Sequence, residues 1–249
     1  MRHDQIALQL YTVRQLAADD LAGTLQAVAA AGYRAVELAG LPETPPGELA
    51  RLLAEAGLRP VASHEGIERL RDDIDAVADR LEEVGCPRVI VPWMPEEDRR
   101  TADDVRRFAA ELGRFAATFA ERGMRLGYHN HSFEFEPLDG TTVWDALLAE
   151  LPPEVELELD VYWAAVGGRD PVVIIRDAPD RVRLLHMKDM APGAEPHDAP
   201  AGHGILPMPV IVEAARSAGV EWFVAEQDEP GDALADIGSA FKYLAGLAR

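Results

Sequence analysis

The pattern of apolar and polar residues in this chain repeats eight times. Each repeat has a short apolar run, then a polar loop, then a longer segment in which apolar residues recur at helical spacing. The apolar runs cover residues 6–10, 34–38, 59–63, 88–91, 125–128, 155–160, 182–187 and 222–226. Short apolar runs that end at turn residues are typical of buried parallel strands.

The longer segments predict amphipathic helices. In one of them Leu70, Ile74, Val77, Leu81 and Val84 are spaced by three or four residues and therefore share one helix face. Glycines stand between a predicted helix and the next predicted strand at positions 32, 57, 85, 123 and 219. A glycine at such a junction supplies the left-handed residue with which helices commonly end.

Eight strand–helix units predict an α/β fold, a single (β/α)8 TIM barrel that forms one domain over residues 1–249. Such a barrel usually needs about 250 residues. A doubly wound open sheet agrees less well with the sequence, because no glycine-rich turn follows the first apolar run.

Composition excludes several classes of protein. The chain has 24 basic and 44 acidic residues, and its formal charge of −20 disfavours nucleic-acid binding. A single cysteine, Cys86, excludes an internal disulfide and a cysteine-based zinc framework. No run approaches the roughly 18 apolar residues of a membrane span, and the first residues lack the pattern of a signal peptide. We therefore expect no membrane association and a cytoplasmic location.

The candidate chemistry gathers at the C-terminal ends of the predicted strands, where the active sites of TIM barrels lie. Six of the seven histidines fall there or in the following loops: His64, His129, His131, His186, His197 and His203. Glutamate and aspartate residues occupy the same ends. Carboxylates combined with imidazole suit a divalent metal such as Mn²⁺, Mg²⁺, Co²⁺ or Zn²⁺, so we expect one such ion as a cofactor.

Several strings in the chain are characteristic of a known family. They are LQLYTVR (8–14), VELAG (36–40), YHNHSFEF (128–135), LDVYWAAVGGRDP (159–171), HMKD (186–189) and VAEQD (224–228). Together they resemble the sugar phosphate isomerase/epimerase family of xylose-isomerase-like TIM barrels, over nearly the whole chain. That family also includes ketose 3-epimerases, inosose dehydratases and apurinic-site endonucleases.

The resemblance implies one divalent metal held by two glutamates, an aspartate and a histidine. It places three of these ligands at Asp160, His186 and Glu226. In ketose epimerases the first glutamate lies inside the fifth strand, but residues 128–131 of this chain contain no acid. Glu134, just beyond that strand, is the nearest candidate for the fourth ligand.

The other candidates have predicted roles in catalysis or substrate binding. The predicted catalytic residues are His129, His131, Lys188 and Glu226. The two histidines and Glu226 would move protons, and Lys188 would stabilise an oxyanion. The predicted substrate-binding residues are Gln9, Glu37, His64, Trp93 and Trp163. Two other interpretations of Glu37 stay open, a carboxylate behind a metal ligand and an ion pair with an arginine.

We therefore expect a metal-dependent sugar isomerase or epimerase that removes a proton beside a carbonyl group and forms an enediolate. Its substrate would be a small sugar, keto-sugar or polyol. Dehydration or another β-elimination at the same site is the first alternative, and an apurinic-endonuclease-like phosphodiesterase is the second. A non-catalytic sugar-binding subunit is the third, and the sequence leaves homo-oligomerisation open.

Overall fold

Eight parallel strands form a closed barrel in the computed structural model, which describes residues 1–248. The strands are β1 (Ile6–Gln9), β2 (Ala35–Leu38), β3 (Arg59–His64), β4 (Arg88–Val91), β5 (Arg125–His129), β6 (Glu156–Asp160), β7 (Val182–His186) and β8 (Trp222–Ala225). Each strand pairs with its neighbours in chain order, and β8 closes the barrel by pairing with β1. The predicted TIM barrel is confirmed. Arg249, the last residue of the predicted domain, lies outside the described residues.

Helices cover the outside of the barrel. They are α1 (Arg14–Asp19), α2 (Leu21–Ala30), α3 (Pro46–Ala56), α4 (Ile67–Val84), α5 (Ala102–Glu121), α6 (Val143–Glu150), α7 (Val161–Val166), α8 (Pro171–Asp177), α9 (Met208–Ser217) and α10 (Ala233–Leu247). The predicted apolar stripe from Leu70 to Val84 lies in α4 and packs into the main core. Within residues 1–248, none of the helices combines the length and the apolar character needed to cross a bilayer.

Helices end at the glycines that the sequence suggests. Gly57 and Gly85 follow α3 and α4 with φ angles of 69° and 78°, in the left-handed region. A residue with a side chain is strained in that conformation. The chain can therefore turn sharply from each of these helices into the next strand.

Residues alternate along each strand between the helix-covered face and the barrel interior. In β6, Leu157 and Leu159 belong to the core beneath the helices, whereas Glu156, Glu158 and Asp160 contact charged groups inside the barrel. A separate apolar cluster occupies the middle of the barrel: Ala7, Ala35, Val61, Ala62, Ile90, Leu184 and Val224. This cluster separates the charged groups at the N-terminal end of the barrel from those at the C-terminal end.

Candidate metal centre and active site

A cavity of about 320 Å³ opens at the C-terminal end of the barrel, within the usual size range of small-molecule sites. The predicted site residues that line it are Gln9, His64, Trp93, His129, His131, His186, Lys188 and Glu226. Tyr11, Ala39, Gly40, Pro92 and Asp228 complete its wall. The cavity therefore brings together residues from most of the barrel strands.

Asp160, His186 and Glu226, three predicted metal ligands, form one cluster, which we call the upper cluster. They stand at or just beyond the ends of the adjacent strands β6, β7 and β8. Nδ1 of His186 lies 3.9 Å from an oxygen of each carboxylate. One potential ligand atom from each residue lies within 4.8 Å of the other two.

The facing atoms of the upper cluster are buried: Oδ2 of Asp160, Nδ1 of His186 and both carboxylate oxygens of Glu226. Among the described residues, Nδ1 of His186 and Oε1 of Glu226 have no hydrogen-bond partner, whereas Oδ2 of Asp160 and Oε2 of Glu226 form ion pairs with Lys188. Burial raises the pKa of Glu226 to about 7 and raises the pKa of Asp160 as well. Buried polar atoms without partners are costly, and a bound divalent cation would satisfy them. The donor set therefore fits a metal ion.

Lys188 lies beside the upper cluster and partly neutralises it. Its Nζ is 2.5 Å from Glu226, 2.6 Å from Asp228 and 3.3 Å from Asp160. Burial alone would lower the pKa of Lys188, but the three carboxylates raise it well above its ordinary value. Three carboxylates therefore face one ammonium group, an acidic surrounding that favours a cation.

Glu37 lies behind His186 and does not line the cavity. Its Oε2 is 2.7 Å from Nε2 of His186, and its side chain is fully buried. A hydrogen bond from Nε2–H to Glu37 directs Nδ1 towards the upper cluster, the arrangement by which carboxylates commonly orient a metal-binding histidine. Of the interpretations of Glu37, this geometry favours a carboxylate behind a metal ligand.

The protonation of His186 bears on metal binding. Burial alone would lower its pKa, but Glu158 and Glu37 raise it well above the ordinary value for histidine. The metal-free ring is therefore protonated on both nitrogens at neutral pH. A metal ion that binds Nδ1 must displace a proton from it, so metal affinity should rise with pH.

A second group, the lower cluster, consists of His64, His129, Glu158 and His186 and lies one layer deeper in the barrel. Oε2 of Glu158 is 2.7 Å from Nε2 of His64 and 3.1 Å from Nδ1 of His129. The same oxygen is 3.2 Å from Nε2 of His186. Burial alone would raise the pKa of Glu158, but His186 and His64 lower it well below its ordinary value.

Glu158 is a site residue that the sequence-based prediction missed. It precedes Asp160 by two residues in β6, so both side chains face the barrel interior. The signal was present in the string ELELD, in which acids alternate with leucines. An acid at every second position of a buried strand predicts an interior lined with carboxylates.

Hydrogen bonding distinguishes the two clusters as metal sites. In the lower cluster the imidazoles share Oε2 of Glu158, so the facing ring nitrogens already have a partner. In the upper cluster, Nδ1 of His186 and Oε1 of Glu226 have no partner among the described residues. The upper cluster therefore fits a metal ion better.

Glu134 lies outside both clusters. Its Oε1 accepts a hydrogen bond of 2.6 Å from the hydroxyl of Tyr128, and its Oε2 accepts one of 2.8 Å from the backbone N–H of His131. Burial raises its pKa to about 7. Because both oxygens are bonded within the chain, this carboxylate fixes the turn after β5 and is not brought to the predicted metal ligands.

His129 and His131 reach the cavity from the same side, with ring centroids 5.0 Å apart. Burial lowers the pKa of His131 to about 3 and lowers that of His129 well below its ordinary value. Both rings are therefore uncharged at neutral pH. Nδ1 of His131 is buried without a hydrogen-bond partner among the described residues.

Three of the predicted substrate-binding residues, Trp93, Trp163 and Gln9, lie at different places relative to the cavity. Trp93 stands at the rim, 47% exposed, with its ring centroid 5.0 Å from that of His131. Trp163 also contacts His131, at 5.6 Å between centroids, but it is not part of the cavity wall. Gln9 lines the cavity and donates a hydrogen bond of 2.9 Å to Glu37.

The loop after β7 is anchored beside the site by Asp189. Its buried carboxylate accepts hydrogen bonds from the backbone N–H groups of Met190, Gly202, Gly204 and Leu206. A Cβ added at Gly204 would lie 2.2 Å from the carbonyl oxygen of Met190, so only glycine fits there. The turn around His203 is therefore structural.

Comparison with known proteins places the chain among related barrels. The family model described as xylose isomerase-like TIM barrel matches residues 25–246. A sugar phosphate isomerase/epimerase from Parabacteroides distasonis ATCC 8503 is 25% identical, with a TM-score of 0.86 over 98% of this chain and 99% of that one. The probable 3-DHS dehydratase AsbF of Bacillus anthracis has a TM-score of 0.75 at 15% identity, over 98% of each chain, and this supports the fold alone.

Two sequence relatives are inosose dehydratases. That of Geobacillus kaustophilus (strain HTA426) is 30% identical over 194 residues, which cover 67% of this chain and 61% of that protein. That of Lacticaseibacillus casei is 26% identical over 147 residues, which cover 52% of this chain and 49% of that protein. The match therefore spans less than two thirds of either relative. The family model spans most of the chain, and the chain belongs to the xylose isomerase-like TIM barrel family.

Proposed function

We propose that this chain is a divalent-metal-dependent enzyme that dehydrates a neutral keto-sugar or keto-inositol. The reaction begins with removal of a proton from the carbon beside the carbonyl group. The observation that carries the proposal is the upper cluster, in which two carboxylates and an imidazole converge, buried, at the C-terminal end of a TIM barrel, with Nδ1 of His186 and Oε1 of Glu226 unpartnered among the described residues.

The cavity wall supports an uncharged substrate. Its one Lys or Arg side chain among the described residues is Lys188, which three carboxylates already surround. A phosphate group usually requires arginine or free lysine contacts. A keto-sugar or keto-inositol without phosphate suits this wall better than a sugar phosphate or a nucleic-acid backbone does.

Residues around the cavity would divide the proton transfers between them. Asp160, His186 and Glu226 would hold a divalent ion, which supplies positive charge to stabilise an enediolate. His131, which lines the cavity, would take the proton from carbon. The ammonium group of Lys188 would donate a hydrogen bond to a substrate oxygen as negative charge develops there.

Elimination is the overall reaction that the comparisons favour. Return of the proton from His131 to a hydroxyl group on the next carbon would release water and leave a carbon–carbon double bond. Two relatives are inosose dehydratases, and no carboxylate occupies the position in β5 where ketose epimerases carry a second base. Isomerisation or epimerisation, the second candidate, shares the first step and draws support from the likeness to the Parabacteroides distasonis isomerase/epimerase.

The test is to incubate the metal-loaded protein with an inosose in deuterated water and to analyse the products by mass spectrometry. Dehydration would give a product lighter by one water. Isomerisation or epimerisation would instead give an isomer that carries deuterium. Unchanged substrate without deuterium, at every divalent metal tried, would contradict the proposal.

Asp160→Asn tests the role of the upper cluster in this reaction. We expect kcat/KM to fall by at least about 100-fold, because the variant loses one charged metal ligand. Glu43→Gln removes an exposed glutamate in the loop after β2 and is the matched control, with activity expected to stay near that of the wild type. Full activity of Asp160→Asn after treatment with a chelator would rule out the metal-dependent mechanism.

A further inference from the structure

A second cavity, of about 930 Å³, opens at the N-terminal end of the barrel, opposite the candidate active site. Arginines surround it because they begin the strands there. Arg59, Arg88 and Arg125 are the first residues of β3, β4 and β5. We call this space the floor cavity.

Two glutamates hold most of these arginines in place. Arg88, whose side chain is 1% exposed, lies 2.6 Å from both Glu156 and Glu221. Arg125 contacts the same two carboxylates at 3.0 and 3.1 Å, and Arg183 contacts Glu221 at 2.5 Å. Burial alone would raise the pKa of Glu221, but hydrogen bonds from the three arginines lower it to about 2.

Arg59 is the member of this group without a carboxylate partner among residues 1–248. Its guanidinium carbon lies 4.9 Å from the ring centroid of Trp222, and it donates a hydrogen bond of 3.0 Å to the backbone oxygen of Asp4. Four arginines therefore face two glutamates, which leaves two positive charges at the floor. This excess stands out in a chain whose formal charge is −20.

We propose that the floor cavity binds a small phosphate-bearing anion, at a site separate from the active site. Guanidinium groups match the geometry of phosphate oxygens and bind them through charge-assisted hydrogen bonds. The glutamates fix Arg88 and Arg125, which line the cavity with Arg59, and this lowers the entropy lost on binding. The other arginines in the cavity wall, Arg2 and Arg216, are paired with Asp4 and Glu213.

Calorimetric titration of the chelator-treated protein with inorganic pyrophosphate tests this site. We expect saturable binding of pyrophosphate and no saturable binding in a titration with sodium chloride of equal ionic strength. The affinity for pyrophosphate should weaken as salt is added. Separate titrations with orthophosphate and with a sugar phosphate tell whether the site prefers a free ion or a phosphorylated metabolite. Absence of saturable binding by any of the three would overturn the proposal.

Arg59→Gln locates the binding. We expect it to weaken pyrophosphate affinity about tenfold, the effect of losing one charge-assisted hydrogen bond. Arg51→Gln, in an exposed pair with Glu55 on α3, changes the net charge equally and should bind as the wild type does. Equal affinity of Arg59→Gln and the wild type for pyrophosphate would overturn the proposal. An unchanged melting temperature without ligand would show that the variant is folded. None of these residues lies in the active-site cavity, so the result does not depend on the proposed function.

Discussion

His186 is the residue on which the candidate metal site depends most. One ring nitrogen faces Asp160 and Glu226, and the other is hydrogen-bonded to Glu37. Its orientation is therefore fixed from behind by Glu37, a residue that does not line the cavity and is not one of the proposed metal ligands. A positioning role of this kind predicts an effect on metal affinity without any change in the ligands themselves.

Glu37→Gln should weaken metal binding by about 10- to 100-fold, the usual effect of removing a carboxylate behind a metal-binding histidine. The variant keeps the shape of the side chain but removes its charge. Competition of Co²⁺ with a chromophoric chelator measures the affinity directly, without substrate. Glu43→Gln, an exposed change in the following loop, serves as the control. Equal affinity of Glu37→Gln and the wild type would show that Glu37 does not support His186.

The buried glutamates mark the limit of sequence-based prediction at the site. That Asp160, His186 and Glu226 lie close together could be predicted, because each stands at or just beyond the end of a strand within a characteristic string. Where the side chains of Glu134 and Glu158 lie could not be predicted from sequence position alone. Glu134 turns back to Tyr128 and the backbone of His131, while Glu158 points into the barrel because it shares its strand face with Asp160. Side-chain direction, rather than proximity in sequence, decides which carboxylate reaches the site.

At the scale of elements, the loop between β7 and α9 depends on one carboxylate. Asp189 accepts four backbone hydrogen bonds and ties the two ends of the loop together. Another aspartate of the same loop, Asp198, accepts a hydrogen bond of 2.6 Å from the backbone N–H of Asp228, whose carboxylate binds Lys188. The loop therefore helps to set the position of the lysine beside the upper cluster.

Asp189→Ala should free this loop and lower the free energy of unfolding by about 3 kcal/mol, since several backbone groups lose a charged acceptor. Amide hydrogen exchange at Gly202 and Gly204 should accelerate in the variant. Glu195→Ala, at an exposed position of the same loop, is the control and should leave exchange unchanged. Unaltered protection of these amides in Asp189→Ala would contradict the anchoring role.

The order of strands and helices could be predicted from the sequence. Every predicted strand overlaps an observed one, because apolar runs and glycine stops are local properties of the chain. The short helices α7 and α8 after β6 were not distinguished, since they occupy the segment where one longer helix was expected. Tertiary contacts at the barrel rim, which local patterns do not encode, decide such details.

At the scale of the whole molecule, the two ends of the barrel carry opposite charge. At the C-terminal end, three carboxylates surround the single ammonium group of Lys188, whereas at the N-terminal end four arginines face two glutamates. The apolar cluster in the middle keeps the two groups apart. One end is therefore suited to a cation and the other to an anion.

The floor ion pairs predict how stability depends on pH. The pKa of Glu221 is about 2 in the folded chain, compared with an ordinary value of 4.5 for a glutamate. A carboxyl with a lowered folded pKa stabilises the fold above its unfolded pKa, and this contribution is lost as pH falls through the folded pKa. Stability should therefore decline between pH 4.5 and about 2.

Glu221→Gln should have a lower free energy of unfolding than the wild type at neutral pH. That free energy should fall less in the variant than in the wild type between pH 4.5 and about 2. Urea midpoints measured across the pH range check this expectation, with Glu55→Gln in an exposed pair as the control. Parallel pH profiles for Glu221→Gln and the wild type would contradict a stabilising role for this carboxylate.

The most direct test of the central claim is anomalous diffraction from crystals of the protein grown with Mn²⁺. We expect one strong anomalous peak within direct coordination distance of Asp160, His186 and Glu226. A peak enclosed instead by His64, His129 and Glu158, or one bound to Glu134, would contradict it, as would the absence of any peak inside the barrel.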